Sequence, residues 1–143
     1  MKIYIASSWK NKTIVKRCKQ SLEGHGHEVD AFCDDSGGRF VLDPEKNMSL
    51  KGLDVTSFFK DPRVQKVFLE DVRSLDNAEA CLLILPSGRS AHLEAGYVKG
   101  QGKWLVIWTA EHFCEDFDVM HCFADLITSE IECAIEFFNH YSR

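Results

Sequence analysis

The chain has 143 residues, 45% of them hydrophobic and 27% charged, which fits a single globular domain with one core. Its formal net charge is -5 with no basic stripe, which argues against a nucleic-acid polymer as partner. No apolar run approaches the roughly 20 residues of a membrane span, and the apolar part of 1–12 is too short for a signal peptide. We therefore expect a cytoplasmic protein that does not associate with a membrane.

Short apolar runs alternate with segments of helical periodicity along most of the chain. The predicted strands are 2–7, 27–34, 79–86, 103–109 and 123–128. The predicted helices are 10–26, 61–78, 90–101 and 129–143. The second begins with Asp61 as cap and Pro62 in its first turn, and Ser129 with Glu132 predicts a capping box for the last.

Strands separated by helices predict an α/β protein, a doubly wound parallel sheet with helices on both faces. Ligands of such sheets bind outside the carboxyl ends of the strands, near the point where the strand order reverses. Three predicted strand ends carry short polar residues: Ser7-Ser8-Trp9, Cys33-Asp34-Asp35 and Ser87-Gly88-Arg89-Ser90. The sequence therefore predicts a binding site at this edge of the sheet.

The segment 34–60 shows no sustained periodicity and is long for a connection within a compact domain. Two interpretations stay open at this point: a mobile insertion, or a lid over a substrate.

Two predicted helices each carry a carboxylate within an apolar stripe. Glu94 lies between Ala91 and Ala95, and Asp71 lies within the stripe Val64, Val67, Phe68, Val72 and Leu75. Either acid alone is compatible with a partly exposed position at the edge of its stripe. Two such acids near polar strand ends favour a functional site, because perturbed carboxylates in clefts are site candidates.

The position of Glu94 suggests its chemistry. It lies about one turn inside a helix that starts near Ser90, where the helix dipole favours an ionised carboxylate. The backbone N–H groups of the same helix start are suited to bind an anion. An ionised glutamate fits a nucleophile, and a paired Asp71 fits a group that orients it or moves protons. Carboxylate pairs of this kind cleave glycosidic bonds.

Several motifs together resemble the nucleoside 2-deoxyribosyltransferase family and its hydrolytic relatives, the nucleoside 5′-monophosphate N-glycosidases. They are IASSW near the start and EDVRSLDNAEACLLILPSGRSAHLEAGYVKGQGK in the middle, and the resemblance covers roughly 1–35 and 61–108. The most specific part is Glu94-Ala95-Gly96-Tyr97 after a loop of small residues.

The resemblance implies a flavodoxin-like (Rossmann-like) fold of about five parallel strands and a homo-oligomer that acts on a small nucleoside or nucleotide without metal or other cofactor. It implies that Glu94 is the catalytic nucleophile and that Asp71 assists at the sugar or the base. It implies that the substrate is bound by the first strand end and by the loop before the nucleophile: Ser7, Ser8, Trp9, Ser87, Gly88 and Ser90. Tyr97 matches the aromatic position of the motif.

The chain departs from the family at a few positions. Arg89 stands where small residues are usual and suits a phosphate contact or a solvent-exposed position. Lys10 stands where some transferases have an aromatic ring, which weakens the case for strict transferase activity. We expect Trp9 to stack on a base and His92 to be a surface or packing residue.

The six cysteines are expected to be reduced. The group His112, Cys114, His121 and Cys122 has no common zinc spacing, so we expect no metal there.

Four functions remain open from the sequence. The favoured one is an enzyme that acts on the N-glycosidic bond of nucleosides or nucleoside 5′-monophosphates through a glycosyl-enzyme intermediate on Glu94, similar to the deoxyribosyltransferases. The others are a hydrolytic nucleotide N-glycosidase, an enzyme that cleaves NAD-type dinucleotides, and a non-catalytic nucleotide-binding or sensor module, which has no need of Glu94.

Overall fold

The computed structural model describes residues 1–110 and 117–142, and these form a five-stranded parallel sheet flanked by helices. The strands are β1 (Lys2–Ala6), β2 (Glu28–Ala31), β3 (Ala80–Leu85), β4 (Trp104–Thr109) and β5 (Leu126–Thr128). The helices are α1 (Lys12–Gly24), α2 (Val55–Lys60), α3 (Pro62–Asn77), α4 (Arg89–Gly100) and α5 (Ile131–Tyr141). The predicted α/β class and parallel sheet are thus confirmed. Among the described helices, none combines the length and the apolar character needed to cross a membrane.

The strand order is β2-β1-β3-β4-β5, the flavodoxin-like order. The chain moves from β1 outward to β2 through α1, and from β3 in the opposite direction to β4 through α4. Right-handed crossovers in opposite directions lie on opposite faces of a sheet. The order therefore reverses between β1 and β3, whose carboxyl ends lie side by side.

The core is continuous across the three central strands. Every residue of β3 is buried, as is every residue of β1 after Lys2. Such runs are typical of parallel strands covered on both faces. α3 and α4 contact each other as well as β1, so both helices carry their side chains to the same region of the sheet.

Helix α3 begins as the sequence predicts. Asp61 is its N-cap and accepts a hydrogen bond from the Arg63 N–H, and Pro62 occupies the first turn. Its buried face differs from the predicted stripe, because Phe68 is 58% exposed while Val64 and Leu75 are buried. The buried face therefore keeps Val64 and Leu75 of the predicted stripe and leaves out Phe68, and Asp71 is half-buried.

Helix α2 within the segment 34–60 was not predicted, and two other predictions about segments are wrong. The segment contains α2, capped by the Asp54 side chain, which accepts from two backbone N–H groups, and two turns of 3₁₀ helix at 36–38 and 48–50. The last strand is shorter than 123–128, because Val119–Phe123 form a 3₁₀ helix. The predicted capping box at Ser129 is absent: Glu130 is the N-cap of α5 and caps no N–H with its side chain.

Candidate functional site

A pocket of about 630 Å³ opens at the carboxyl ends of β1 and β3, where the strand order reverses. It combines the end of β1, the start of α4 and part of the segment 34–60. Its lining residues are Ser7, Ser8, Trp9, Lys10, Lys12, Asp43, Pro44, Glu45, Gly88, Arg89, Ser90 and Ala91. Six of the residues predicted to bind substrate thus lie around one pocket, at the position expected for open α/β sheets.

Ser7 and Asn11 hold the two strand ends together at the base of this pocket. The buried Ser7 hydroxyl donates to the Ile84 carbonyl at 2.9 Å. The Asn11 side-chain amide donates to the Ser7 oxygen at 2.9 Å and to the Pro86 carbonyl at 2.7 Å. The hydroxyl proton of Ser7 is therefore already used within the protein. Asn11 was not among the predicted site residues, because a lone asparagine at the start of a helix indicates only a turn or cap.

Trp9 is half-buried at the rim of the pocket and packs edge-to-face on Phe32, with ring centroids 5.5 Å apart. The Lys12 ammonium lies 5.6 Å from the centroid of the same indole ring. A fixed aromatic face beside a cation suits the stacking of a planar base. The role of Trp9 as a stacking residue remains a prediction.

The start of α4 provides the polar side of the pocket. Gly88 is its N-cap, has an extended backbone, and provides no side chain to cap the first N–H groups. Arg89 and Ser90 are exposed, and Lys10 and Lys12 also line the pocket. Uncapped N–H groups at a helix start and nearby cations favour an anionic ligand group.

The two predicted acids form a separate centre between α3, α4 and β1. The pKa of Glu94 is raised to about 8, mainly by burial and secondly by the charge of Asp71. Burial also raises the pKa of Asp71, although its ion pair with Arg39 opposes this increase. The expectation that the helix dipole keeps Glu94 ionised is wrong, because Glu94 lies beyond the first turn of α4, where the dipole effect fades and desolvation dominates.

Tyr4 connects the two acids from the middle of β1. Its side chain is fully buried, and its hydroxyl has no hydrogen-bond partner among the described residues. The hydroxyl faces Glu94 closely enough to lower the pKa of that carboxyl, yet it falls short of a well-formed hydrogen bond. Burial and then the charges of Glu94 and Asp71 hold the pKa of Tyr4 well above its usual value. A tyrosine in the middle of a buried strand was the available sequence signal, because buried phenols usually have a polar partner.

Arg39 comes from the segment 34–60 and closes the acid centre. Its Nη2 donates to Asp71 Oδ1 at 2.5 Å, and its Nη1 donates to Asp30 on β2. The guanidinium lies over the Tyr4 ring, 5.7 Å from the centroid. The side chain is only 8% exposed. No sequence pattern pointed to Arg39, since it lies in an aperiodic segment.

The structure does not join the acid centre to the pocket. Neither Glu94 nor Asp71 is among the residues that line the pocket, although Ala91, one turn before Glu94, is. Ser87 is half-buried and does not line it. Tyr97 is 43% exposed, and its hydroxyl donates to Asp76 at 2.9 Å, away from the pocket. Roles for Ser87 and Tyr97 in substrate binding remain predictions.

His92 packs against His121 rather than facing the acids. The two Nε2 atoms lie 2.9 Å apart, and His92 Nδ1 is 2.8 Å from the Gly88 carbonyl oxygen. The sequence expectation of a packing histidine agrees with this contact. Of the four residues considered for zinc, His112 and Cys114 lie outside the described residues. Within 1–110 and 117–142, no three potential ligands are grouped to hold a metal ion.

Comparison with solved structures supports the fold. A 2-deoxyribosyltransferase from Bacillus psychrosaccharolyticus is similar over 94% of this chain and 90% of its own, with a TM-score of 0.67 and 18% identity. The CMP N-glycosidase of Clostridium botulinum is similar over 99% of both chains, with a TM-score of 0.54 and 14% identity. A conserved protein from Enterococcus faecalis V583 is similar over 98% of both chains, with a TM-score of 0.60 and 13% identity. The resemblance found in the sequence is thus confirmed at the level of the fold.

No family model matches the chain, and no curated protein sequence matches it.

Proposed function

We propose that this protein cleaves the N-glycosidic bond of nucleosides or nucleoside 5′-monophosphates, with Glu94 as the nucleophile. The observation that carries the proposal is the pair of desolvated carboxylates, Glu94 and Asp71, next to a pocket at the point where the strand order reverses. Two solved structures of similar fold are named for the transfer of 2-deoxyribosyl groups and for the cleavage of CMP. These names support the reaction class proposed for this chain.

In the first step, a carboxylate oxygen of ionised Glu94 attacks C1′ of the sugar. The C1′–N bond breaks, and its electron pair leaves with the base. Asp71, when protonated, donates its proton to the departing base, so that the products are a neutral base and a glycosyl ester on Glu94. Two carboxylates with raised pKa values suit this division of roles, because one proton is shared between a nucleophile and an acid.

In the second step, the ester is cleaved and Glu94 is restored. Attack by water gives the free sugar or sugar phosphate, and attack by a second base gives a new nucleoside. In either case ionised Asp71 accepts the proton of the attacking group. The balance between the two outcomes depends on how far the occupied site excludes water.

We further propose that the pocket favours a 5′-phosphate. Three cations line it, Lys10, Lys12 and Arg89, against two acids, Asp43 and Glu45. The uncapped start of α4 lies on the same side as Arg89. These features support a phosphate at the helix start and a base toward Trp9.

The homo-oligomer implied by the resemblance also stands as a proposal. Large apolar side chains on the outer faces of α3 and α4 support it: Phe68, Leu69 and Leu93 are 58%, 59% and 75% exposed. Light scattering of the purified protein at several concentrations measures the oligomeric state directly.

The test of the function is the release of free base, measured by chromatography. The protein is incubated with a panel of nucleosides, 5′-monophosphates and NAD, with and without an acceptor base, beside Glu94→Gln. Free base without acceptor that disappears in Glu94→Gln indicates a hydrolase and identifies its substrate. Exchange that needs an acceptor indicates a transferase, and cleavage of NAD alone moves the assignment to dinucleotides.

Two results contradict the proposal. One is turnover in Glu94→Gln close to that of the natural chain. The other is no turnover of any compound, with binding of nucleotides retained, which indicates a binding module instead. Glu79→Gln is the matched control, since this exposed glutamate accepts a bond from the Lys2 N–H and is remote from both the pocket and the acid centre.

A further inference from the structure

Arg39 is the one described side chain that joins the segment 34–60 to the acid centre by ion pairs. Its guanidinium bridges Asp71 on α3 and Asp30 on β2 and covers the ring of Tyr4. The Nε atom has no hydrogen-bond partner among the described residues. A buried arginine held by two carboxylates from different elements is fixed in position, and its positive charge stabilises the ionised form of both carboxylates.

We infer that Arg39 is a positioning residue that decides which member of the acid pair holds the proton. Paired with Arg39, Asp71 stays ionised, and the proton remains on Glu94. The inference deepens the proposed function and rests on it for its chemical meaning. The reaction requires the reverse distribution, with Glu94 as anion and Asp71 as acid. The structure is therefore a resting arrangement, and release of Arg39 from Asp71 lets the proton pass from the Glu94 carboxyl to the Asp71 carboxylate.

Loss of Arg39 is expected to lower the pKa of Glu94, because Arg39 acts more strongly on Asp71 than on Glu94. Arg39 acts on Asp71 through a hydrogen bond at 2.5 Å as well as through charge. Its action on Glu94 is the weakest of the causes that shift the pKa of that group, whereas the charge of Asp71 is the second strongest. Loss of Arg39 removes the weak direct effect. Loss of Arg39 also raises the pKa of Asp71, so that Asp71 is protonated and neutral when Glu94 ionises. The stronger repulsion between the two carboxylates is then absent, and the pKa of Glu94 falls.

Other charged and titratable groups face the pair and are common to all variants of the test. Glu94 is faced by Tyr4 on β1, whose hydroxyl lowers the pKa of the Glu94 carboxyl, and by Cys81 on β3. Asp71 is faced by Asp30 on β2 and by Glu70 on its own helix, and both negative charges raise the pKa of Asp71. None of these groups carries a positive charge. Among the described groups that act on Glu94 and Asp71, Arg39 is therefore the cation.

The test is a carboxyl titration by ¹³C NMR in protein with labelled Asp and Glu side chains, with peaks assigned through Glu94→Gln and Asp71→Asn. In Arg39→Gln we expect the midpoint of Glu94 to fall by roughly one pH unit or more and that of Asp71 to rise. Arg39→Met keeps the packing of the side-chain stem on Tyr4 and serves if the Gln variant does not fold. Arg39→Lys restores the positive charge and should return the midpoints toward those of the natural chain.

Arg63→Gln is the matched control. It breaks another arginine–aspartate pair, with Asp61 at the start of α3, and leaves the acid centre untouched. Both midpoints should be unchanged in it. A Glu94 midpoint that stays constant or rises in Arg39→Gln and Arg39→Met overturns the inference.

The titration separates this inference from the proposed function, because it requires no turnover. Shifted midpoints without base release retain the role of Arg39 and reject the enzyme. Base release that depends on Glu94, with unshifted midpoints, retains the enzyme and rejects the role of Arg39. If both hold, the acid limb of the pH–rate profile moves to lower pH in Arg39→Gln.

Discussion

Glu94 on α4 and Asp71 on α3 form a coupled pair of carboxylates: burial raises the pKa of Glu94, and the charge of Asp71 raises it further. The two residues are far apart in sequence and lie on helices that contact each other and β1. When two neighbouring buried carboxyl groups both ionise, desolvation and the repulsion between their charges destabilise the folded chain. Such an arrangement is expected where the acids have a chemical role.

The raised pKa of Glu94 predicts that the free energy of unfolding falls as pH increases. Below the ordinary value of 4.5 the group is protonated in both states, and between 4.5 and about 8 only the unfolded chain loses the proton. Stability is therefore fully present below 4.5 and is lost as pH rises to about 8, by at most about 1.4 kcal/mol per pH unit. Urea unfolding at several pH values measures this slope.

Glu94→Gln is the control for that slope, because the amide does not titrate. The pKa of His27 is lowered by burial, so this residue contributes with the opposite sign near its ordinary value of 6.5. The difference between the natural chain and Glu94→Gln isolates Glu94. Equal slopes in the two proteins contradict the assigned shift.

Tyr4→Phe should separate stability from chemistry. It removes a buried hydroxyl that lacks a hydrogen-bond partner, so we expect a change in stability within about 1 kcal/mol of zero or a gain. The same hydroxyl lowers the pKa of Glu94, so its loss should raise the Glu94 midpoint and move the acid limb of base release to higher pH. Leaving the partner of a buried hydrogen bond unsatisfied costs about 1–3 kcal/mol. A loss of stability of more than about 2 kcal/mol in urea unfolding would therefore mean that the Tyr4 hydroxyl has a hydrogen-bond partner.

Asn11→Ala should weaken the base of the pocket. The change removes the hydrogen bonds to the Ser7 hydroxyl and the Pro86 carbonyl, and we expect it to destabilise the protein by about 1–2 kcal/mol. Ser8→Ala is the milder comparison, because Ser8 accepts a single bond of 3.3 Å from the Lys10 N–H. Thermal unfolding that ranks Ser8→Ala as the more harmful change would argue against the role of Asn11.

Arg89→Ala should discriminate between nucleotides and nucleosides. Arg89 is exposed at the pocket and has no other assigned role, so its loss should weaken 5′-monophosphates about tenfold and leave nucleosides nearly unchanged. Arg73→Ala removes an exposed arginine on α3 and controls for overall charge. Equal losses for both substrate classes, measured as kcat/KM or as Kd by calorimetry, reject the phosphate contact.

Local sequence patterns were sufficient for most of the framework. The alternation of apolar runs and helical periods predicted five strands, and Asp61 with Pro62 predicted the start of α3, because caps and buried strands depend on near neighbours. The errors fall where periodicity is weak. Helix α2 has only six residues, too few to show a helical period. The N-cap of α5 lies one residue after the predicted Ser129, because the Thr128 side chain accepts a hydrogen bond from the Glu130 N–H and Ser129 stays outside the helix.

The sequence by itself determined the parallel sheet, the polar strand ends around the pocket and the two carboxylates within apolar stripes, since each of these depends on the local order of residues. Only the tertiary structure decided the ionisation of Glu94 and the position of Arg39, whose partner Asp71 is 32 residues away. The physical reason is that desolvation and charge act through space: they depend on which helices and loops meet over β1, and no local pattern encodes that meeting.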